Sequence, residues 1–343
     1  MEKPLKCVKK LNSYPLQKLV ITTQPLKTKG NTQIKWKSKN SIPGYENTFY
    51  TKKLKLNNFH HQDLVGIIIN MPELPEVEVT KRALSPHIEG SAIEKLDIRE
   101  TRLRWPIRVD LLKKIEHKTV TSISRRGKYI LINTSSGTAM IHLGMSGSIS
   151  IFDQYIPPKK HDHFDIYLTN KKIIRFNDPR RFGCFIWAGK HPEKHKLIGH
   201  LGLEPLEKEF RGEYLYQLSR RRKTNIKAFI MNASVVVGVG NIYANESLFL
   251  SGIHPKRRAN NIGKKRYQNL AHSIKSTLTQ SIEMGGTTLR NFSFTYGKEK
   301  IGYFKQSLFI YGRDGEECKS CGSVIKRITL SGRGTFYCGK CQR

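Results

Sequence analysis

Two pairs of cysteines near the C-terminus constrain the fold of this chain more than any other feature. Cys318 and Cys321 form one C-x-x-C pair, Cys338 and Cys341 form another, and sixteen residues separate the pairs. Four thiolates at this spacing are typical of a tetrahedral zinc site whose intervening residues form a hairpin. Because four thiolates leave no position for water, we expect one structural Zn²⁺ in a zinc ribbon, with any chemistry elsewhere.

The chain carries a large positive excess. Its 343 residues include 61 Lys and Arg against 27 Asp and Glu, a formal charge of +34. An apolar fraction of 38% is enough for packed domains, and at ~150 residues per domain the length predicts about two. A folded surface of this charge favours a polyanion such as nucleic acid, and acidic lipid stays open. The longest apolar run, 65–69, is too short to span a bilayer, so an integral membrane protein is excluded.

Residues 1–70 differ from the rest. They contain 13 Lys, three acidic residues and no Arg, without a sustained helical or strand period. We expect little packed structure in this segment. A transit peptide is one interpretation, although such peptides favour Arg and an amphipathic helix. Another is that Met71 is the true start and the preceding residues are translated upstream sequence.

The remainder changes character near its middle. Seven short apolar segments between 119 and 187, separated by Gly, Pro and Asp-rich turns, predict strands of a sandwich or barrel. Beyond 209 the period becomes helical, with candidate helices at 211–222, 225–232, 241–251 and 263–284. A β half followed by an α half predicts an α+β, multidomain protein with a cleft between the halves.

The segment 71–79, MPELPEVEV, predicts the start of a helix. Pro75 lies near the first turn, acidic residues face the positive end of the helix dipole, and Val77, Leu84 and Ile88 form an apolar stripe that ends at Gly90. Alone, this pattern describes an ordinary capped helix.

Together with other motifs, this segment resembles bacterial formamidopyrimidine-DNA glycosylase (DNA-(apurinic or apyrimidinic site) lyase). The match runs in order from Met71 to Arg343 through the motifs at 71–78 (MPELPEVE), 142–147 (HLGMSG), 178–183 (DPRRFG) and 237–243 (VGVGNIY), and the four-cysteine tail. The resemblance implies a β-sandwich with a flanking helix over 71–200, a helix-two-turn-helix domain over 201–300 and a zinc-finger hairpin over 308–343. Residues 1–70 have no counterpart.

The resemblance also implies chemistry. In this family the N-terminal amine, here that of Pro72 after loss of Met71, forms a Schiff base with the damaged nucleoside. Glu73 matches the acid, Lys128 the lysine of β-elimination and Arg333 the arginine of δ-elimination. The implied activity is removal of oxidised purines, such as 8-oxoguanine and formamidopyrimidines, from double-stranded DNA, by a monomer in a bacterial cytoplasm associated with the nucleoid.

Further positions match the family's DNA contacts. Met145, Arg180 and Phe182 match a wedge that fills the space left by an extruded nucleotide. His161 and Lys223 match positions that touch DNA. The glycine turn before Asn241 matches a phosphate clamp, and 291–306 lies where the family keeps a mobile loop over the flipped purine. Outside this match, each of these side chains is as consistent with packing or a solvated surface.

Two alternatives remain open. The endonuclease VIII type prefers oxidised pyrimidines, but its opening usually carries Gly where this chain has Leu74. A non-catalytic, zinc-stabilised DNA-binding protein is the other alternative. It would follow if Met1 were the mature start, because an internal Pro72 has an amide nitrogen that is not nucleophilic.

Overall fold

Helix α1 (Leu74–Ile88) opens the part of the chain that the computed structural model describes, which comprises residues 72–285, 294–296, 299–301 and 308–343. The predicted stripe of Val77, Leu84 and Ile88 is buried, and Leu74 joins it. Gly90 follows in the left-handed region with φ 79°, which a glycine adopts at no steric cost. The helix therefore places its N-terminal residues deep in the molecule. The expectation for residues 1–70 lies outside the described residues.

Two sheets form the β half of the molecule, and two of their strands come from the segment 294–301. The strands are β1 (Ile93–Ile98), β2 (Val120–Arg126), β3 (Tyr129–Thr134), β4 (Gly137–His142), β5 (Ser148–Phe152), β6 (Asp162–Leu168), β7 (Ile173–Asn177), β8 (Cys184–Gly189), β9 (Phe294–Tyr296) and β10 (Glu299–Ile301). One sheet has the order β1-β6-β7-β5-β9-β10 and the other β2-β3-β4-β8. Strands β2 to β8 are the seven predicted ones, and neighbours pair antiparallel except β5 with β9.

Aromatic side chains pack between the two sheets. The ring of Phe164 in β6 stacks on Phe176 of β7 at 4.9 Å and on Phe185 of β8 at 4.4 Å between centroids. Because β8 belongs to the second sheet, the Phe164–Phe185 stack joins the layers. All three rings are at most 1% exposed, as expected at the centre of a sandwich core.

The second half is helical. It contains α3 (Gly212–Ser219), α4 (Ile226–Ile230), α5 (Asn241–Leu250) and α6 (Lys264–Glu283), which correspond to the four predicted helices. The short helix α2 (Val109–Leu112) lies earlier, within the β half, and 3₁₀ turns occur at Lys113–Ile115, Pro192–Lys194 and Ala259–Asn261. Helix α1 packs against both β2 and α6, so it lies at the seam between the halves.

A two-stranded hairpin closes the chain. Strands β11 (Lys326–Leu330) and β12 (Arg333–Tyr337) pair antiparallel between the two cysteine pairs. The hairpin docks on the helical half, where the backbone N–H of Phe336 donates to Asn245 Oδ1 of α5 at 2.9 Å. The α+β class, with an N-terminal β-sandwich, a helical region and a four-cysteine ribbon, is thus confirmed. No helix among the described residues is long and apolar enough to cross a membrane.

Candidate active site

The start of α1 is inserted between the two halves of the molecule. Pro72 and Glu73 are buried, and the backbone N–H of Leu74 donates to the carbonyl of Gly238 at 3.1 Å. Gly238 has φ 80°, and a Cβ there would overlap the Leu74 side chain. A glycine is therefore required where the turn before α5 receives the N-terminal segment.

The Glu73 carboxylate lies on the first turn of α5. It accepts hydrogen bonds from the backbone N–H groups of Gly240 at 2.8 Å, Ile242 at 2.9 Å and Tyr243 at 3.4 Å. A Cβ on Gly240 would overlap the carboxyl group. The structure thus gives this glycine a role other than the predicted room for a phosphate, because the amides at the start of α5 bind a carboxylate of the chain itself.

Burial raises the pKa of Glu73. The charge of Glu76 raises this pKa further, while the charge of Lys128 and the amides of Ile242 and Tyr243 act in the opposite direction. A carboxyl group whose pKa is raised holds its proton closer to neutral pH, which suits a general acid.

Glu76 fixes the backbone at Glu73. One Glu76 oxygen accepts from the backbone N–H of Glu73 at 2.8 Å, and the other accepts from the Tyr243 hydroxyl at 2.7 Å. Because that hydroxyl donates to Glu76, the Ser281 hydroxyl of α6, at 2.6 Å, donates to Tyr243. A buried chain of hydrogen bonds thus links α6, α5 and α1 at this position.

Lys128 approaches Glu73 from the β half. It lies in the two-residue turn between β2 and β3, where Gly127 has φ 58°. Burial lowers the pKa of the Lys128 ammonium, the carboxylates of Glu73 and Glu76 oppose that shift, and Arg333 adds to it. These mutual effects show that the predicted catalytic groups other than Pro72 share one electrostatic environment.

Glu204 holds the turn that carries Lys128. Its carboxylate accepts from the backbone N–H of Gly127 at 2.6 Å, from Arg125 Nη1 at 2.8 Å and from Arg126 Nη1 at 3.1 Å. Sequence reasoning missed this residue, since nothing local distinguishes it from a surface glutamate.

Arg333 stands at the start of β12 and borders a cleft of about 180 Å³ together with Asn225 and Lys227. Lys227 was not predicted. Its Nζ is buried and donates to the carbonyl of Gly334 at 2.8 Å and to Thr335 Oγ1 at 2.7 Å, which ties α4 to the hairpin. Burial, with Arg333 nearby, lowers the pKa of Lys227 to about 7.

His142 is a third residue, after Glu204 and Lys227, that sequence reasoning left out of the site. Its Nδ1 accepts from the backbone N–H of Gly144 at 2.9 Å, so the proton of the neutral ring is on Nε2. Burial, followed by the charges of Lys128 and Arg104, lowers the pKa of His142 to about 3. The imidazole is therefore a neutral donor close to Lys128.

The three predicted wedge residues lie together, on two loops that touch. The guanidinium carbon of Arg180 is 4.8 Å from the centroid of the Phe182 ring, and Phe182 is 39% exposed. Met145 is half-buried on the neighbouring loop, where a Cβ on Gly144 would overlap the backbone of Phe182. Such exposure of a large aromatic side chain agrees with a contact surface better than with core packing.

The other predicted DNA contacts are more scattered. His161 borders a second cleft, of about 480 Å³, which Arg181 also lines. Lys223 is exposed on the segment before α4. Asn241 is the first residue of α5. Its Oδ1 has no hydrogen-bond partner among the described residues, and its Nδ2 is 3.5 Å from the Tyr311 hydroxyl. Most of the predicted loop 291–306 lies outside the described residues.

The four cysteines converge as predicted. Their sulfur atoms all lie within 4.8 Å of one another, with Cys318 and Cys341 at 3.9 Å and Cys321 and Cys338 at 3.4 Å. The latter two separations are close to the edge of about 3.8 Å in a tetrahedral shell with Zn–S bonds of about 2.3 Å. No His, Asp or Glu belongs to this group, so the donor set is that of a closed, structural zinc site.

Comparison with known proteins agrees with this geometry. Three family models match: the formamidopyrimidine-DNA glycosylase N-terminal domain over 71–185, the H2TH domain of the same enzymes over 201–293, and the zinc finger found in FPG and IleRS over 315–343. The zinc-finger match and the cysteine cluster confirm the structural zinc site.

Curated relatives and solved structures cover the same region. The formamidopyrimidine-DNA glycosylases of Methylococcus capsulatus and Nitrosococcus oceani are both 50% identical, over 80% and 79% of this chain and 100% of their own length. The Lactococcus lactis enzyme bound to Fapy-dG DNA has a TM-score of 0.72 at 30% identity, over 79% of this chain and 100% of that one. Its complex with abasic-site DNA has a TM-score of 0.71 at 31% identity, over 79% and 99%. From Met71 onwards, the chain belongs to the formamidopyrimidine-DNA glycosylase family.

Proposed function

We propose that this chain is a bifunctional DNA glycosylase and abasic-site lyase that removes oxidised purines, such as 8-oxoguanine and formamidopyrimidines, from double-stranded DNA. The observation that carries the proposal is the buried Glu73 carboxyl beside Pro72, with Lys128 and Arg333 close enough to shift pKa values in the same site. The Lactococcus relatives, which bind Fapy-dG and abasic-site DNA, support the substrate class.

Pro72 is the nucleophile when Met71 has been removed. An α-amino group titrates near ~7.8 and a lysine near ~10.4, so far more of the terminal amine is unprotonated at neutral pH. The nitrogen lone pair forms a bond to C1′, and the bond from C1′ to the base nitrogen breaks. Glu73 supplies a proton to the sugar oxygen O4′ or to the leaving base. The C1′–O4′ bond then breaks, O4′ leaves as a hydroxyl, and the nitrogen lone pair completes a covalent imine (iminium) to C1′.

The imine makes the neighbouring sugar hydrogen acidic, and loss of that proton expels the 3′ phosphate by β-elimination. A second elimination, δ, expels the 5′ phosphate. Lys128, whose ammonium pKa is lowered by burial, acts in the first elimination, and Arg333 stabilises the phosphate released in the second.

The wedge gives the nucleophile access to the damaged nucleotide. A base inside a duplex cannot be reached by a buried amine, so it must be extruded, at a cost of a few kcal/mol. Met145 and Phe182 fill the vacated space, and the Arg180 guanidinium can donate to the unpaired opposite base. His161, Lys223 and the Asn241 side chain hold the phosphate backbone, and the protein acts as a monomer on chromosomal DNA in a bacterial cytoplasm.

Borohydride trapping tests the mechanism, because reduction fixes an imine as a stable amine. Protein that starts at Pro72, mixed with 8-oxoguanine duplex and borohydride, should give a covalent complex, and peptide mass spectrometry should locate the DNA on Pro72. Protein that retains residues 1–70 is the matched control and should bind without being trapped. A folded protein that starts at Pro72 and forms no adduct, or an adduct on a lysine, would contradict the mechanism.

A further inference from the structure

Asp178 lies at the junction of the two wedge loops. It follows β7 directly and is fully buried. Its Oδ2 accepts from the backbone N–H of Gly183 at 2.7 Å, which closes the loop that carries Arg180 and Phe182. Its Oδ1 accepts from the Ser146 hydroxyl at 2.5 Å and from the backbone N–H of Arg180 at 3.2 Å. One carboxylate therefore bonds to both loops.

Ser146 completes the connection. Its Oγ donates to Asp178 and also accepts from the backbone N–H of Arg180 at 3.2 Å. Because Ser146 is adjacent to Met145, this hydroxyl couples the position of Met145 to that of Arg180.

The backbone of Asp178 reaches a third segment. Its N–H donates to the carbonyl of His161 at 3.0 Å, and its own carbonyl bonds to His163 Nε2 at 2.6 Å. The three wedge residues, Met145, Arg180 and Phe182, and the predicted DNA contact His161 are thus all at, or next to, a residue that bonds to Asp178.

These bonds satisfy the buried Asp178 carboxyl group. Within the described part of the chain no Lys, Arg or His forms a salt bridge with it, so the buried carboxylate is stabilised by three donors, two of them from the loop it closes. Leaving such a group without its donors is costly, so the loops are held as long as the carboxylate is satisfied.

We propose that Asp178, acting through Ser146, is a positioning residue that holds the wedge in its extruding conformation before DNA binds. The inference rests on the proposed extrusion function of the wedge. Ordering the loops in the free protein removes that entropy cost from the extrusion step, where the wedge must enter a stacked duplex. Neither residue touches the reacting atoms.

Ser146→Ala tests this with little risk to folding, since it removes only a half-buried hydroxyl. We expect single-turnover excision of 8-oxoguanine opposite cytosine to slow by about fivefold, the loss expected for one hydrogen bond. Cleavage at an abasic site, which needs less unstacking, should be nearly unchanged. Asp178→Asn, which turns an amide N–H₂ toward donors, should show the same pattern with a larger loss.

Two further arms separate positioning from general stability. Ser136→Ala is the matched control, because its half-buried hydroxyl bonds the carbonyl of Lys114 at 2.8 Å, away from the wedge, and it should leave both rates unchanged. In a Phe182→Ala background, where one of the three wedge side chains is already missing, Ser146→Ala should cause a smaller additional loss on 8-oxoguanine than it does in wild type.

Hydrogen exchange on the free protein supplies a readout independent of activity, and the amides of segment 178–183 should exchange faster in both the Ser146 and the Asp178 variants. Equal losses on both substrates, losses that multiply with Phe182→Ala, or unchanged exchange would overturn the inference. Wild-type protein inactive on both duplexes would instead refute the proposed function, and the exchange measurement would still decide whether Asp178 holds the loops.

Discussion

Glu73 receives opposing influences at a single carboxyl group. Burial raises its pKa, and three backbone amides with the nearby Lys128 charge favour its ionised form. Glu73 is the N-cap residue of α1, and its carboxylate accepts hydrogen bonds from backbone N–H groups at the start of α5. Its protonation is therefore linked to the contact between the two halves. A group in this position acts as an acid only while it keeps its proton.

The pH dependence of excision should follow from this. The rate on 8-oxoguanine should rise with pH as the Pro72 amine loses its proton, and fall again at higher pH as Glu73, with its raised pKa, loses its own. In Glu73→Gln the alkaline limb should disappear and the rate should be low throughout. Abasic-site cleavage should lose less, because no base has to be expelled. Single-turnover rates measured across pH on both substrates test this; an alkaline limb that persists in Glu73→Gln would assign it to another group.

The free energy of unfolding should also depend on the protonation of Glu73. A raised carboxyl pKa means that the folded state binds this proton more tightly than the unfolded state. Its contribution therefore falls as pH rises from the ordinary carboxyl range through the raised value. Urea unfolding at several pH values across that interval gives the free energy of unfolding of wild type and of Glu73→Gln. This free energy should fall with rising pH more steeply in wild type than in Glu73→Gln.

Sequence reasoning reached individual site residues unevenly. Pro72, Glu73, Lys128 and Arg333 were selected because short motifs resemble a known family, and the structure brings Glu73, Lys128 and Arg333 into one electrostatic site. Glu204 was missed because its partners are about 78 positions away in the chain. The reason for Gly240 was also missed, since only the folded chain shows that a carboxyl group occupies the space of a Cβ.

At the scale of elements, the zinc hairpin carries Arg333 but touches the rest of the site through few bonds. Lys227 binds the backbone at Gly334, and Asn245 binds the backbone at Phe336. A hairpin of two five-residue strands has little core of its own, so the metal supplies most of its folding free energy.

Cys338→Ser should therefore release the zinc, unfold the hairpin and abolish tight DNA binding, while the β-sandwich stays folded. Metal content by mass spectrometry, near-UV circular dichroism and a binding titration follow the three effects. Cys184→Ser, at a buried cysteine outside the cluster, is the control and should keep its metal. Full activity after metal loss would show that the hairpin is not part of the DNA-binding surface.

Regular elements were predicted where the apolar period was clear, and not otherwise. Strand β1 was missed because its sequence, IEKLDI, buries only Ile93 and Leu96 and has no alternating pattern. Strands β9 and β10 were missed because they arise from a Gly-rich segment, where β9 is defined by pairing with β5, which is remote in sequence, and β10 by pairing with β9. In both cases the strand depends on a partner that local sequence does not reveal.

At the scale of the whole molecule, the helical half carries a local cluster of exposed positive charge. Two exposed basic runs, 221–223 and 256–258, lie side by side, because the N–H of Asn260 donates to the carbonyl of Arg222 and that of Ile226 to the carbonyl of Arg257. We call this surface the basic ridge. It includes Lys223, and such a cluster favours a polyanionic partner.

Alanine at Lys223 should lower the slope of log affinity against log salt by about 1, and alanine at 256–258 by up to about 3, equally for damaged and undamaged duplex. Alanine at Lys113, Lys114 and Lys118 is the matched control. That exposed group lies near the end of β3 opposite to Lys128, since the Lys114 carbonyl bonds Ser136, so its slope should not change. Fluorescence anisotropy across a salt series measures all three, and an unchanged slope for 256–258 would remove the ridge from the DNA-binding surface.

The contact between the two halves is held by hydrogen bonds that each half accepts from the other. Glu73, from the first helix, binds amides of the helical half, and Glu204, from the segment leading into that half, binds the turn at Gly127. A hinge motion that separated the halves would break the hydrogen bonds of Glu73 and would at the same time displace Lys128. In the proposed mechanism these bonds keep the two halves in place, so the DNA has to deform to bring the damaged nucleotide to Pro72. We therefore expect recognition of a lesion by this protein to depend on how easily the surrounding DNA sequence deforms.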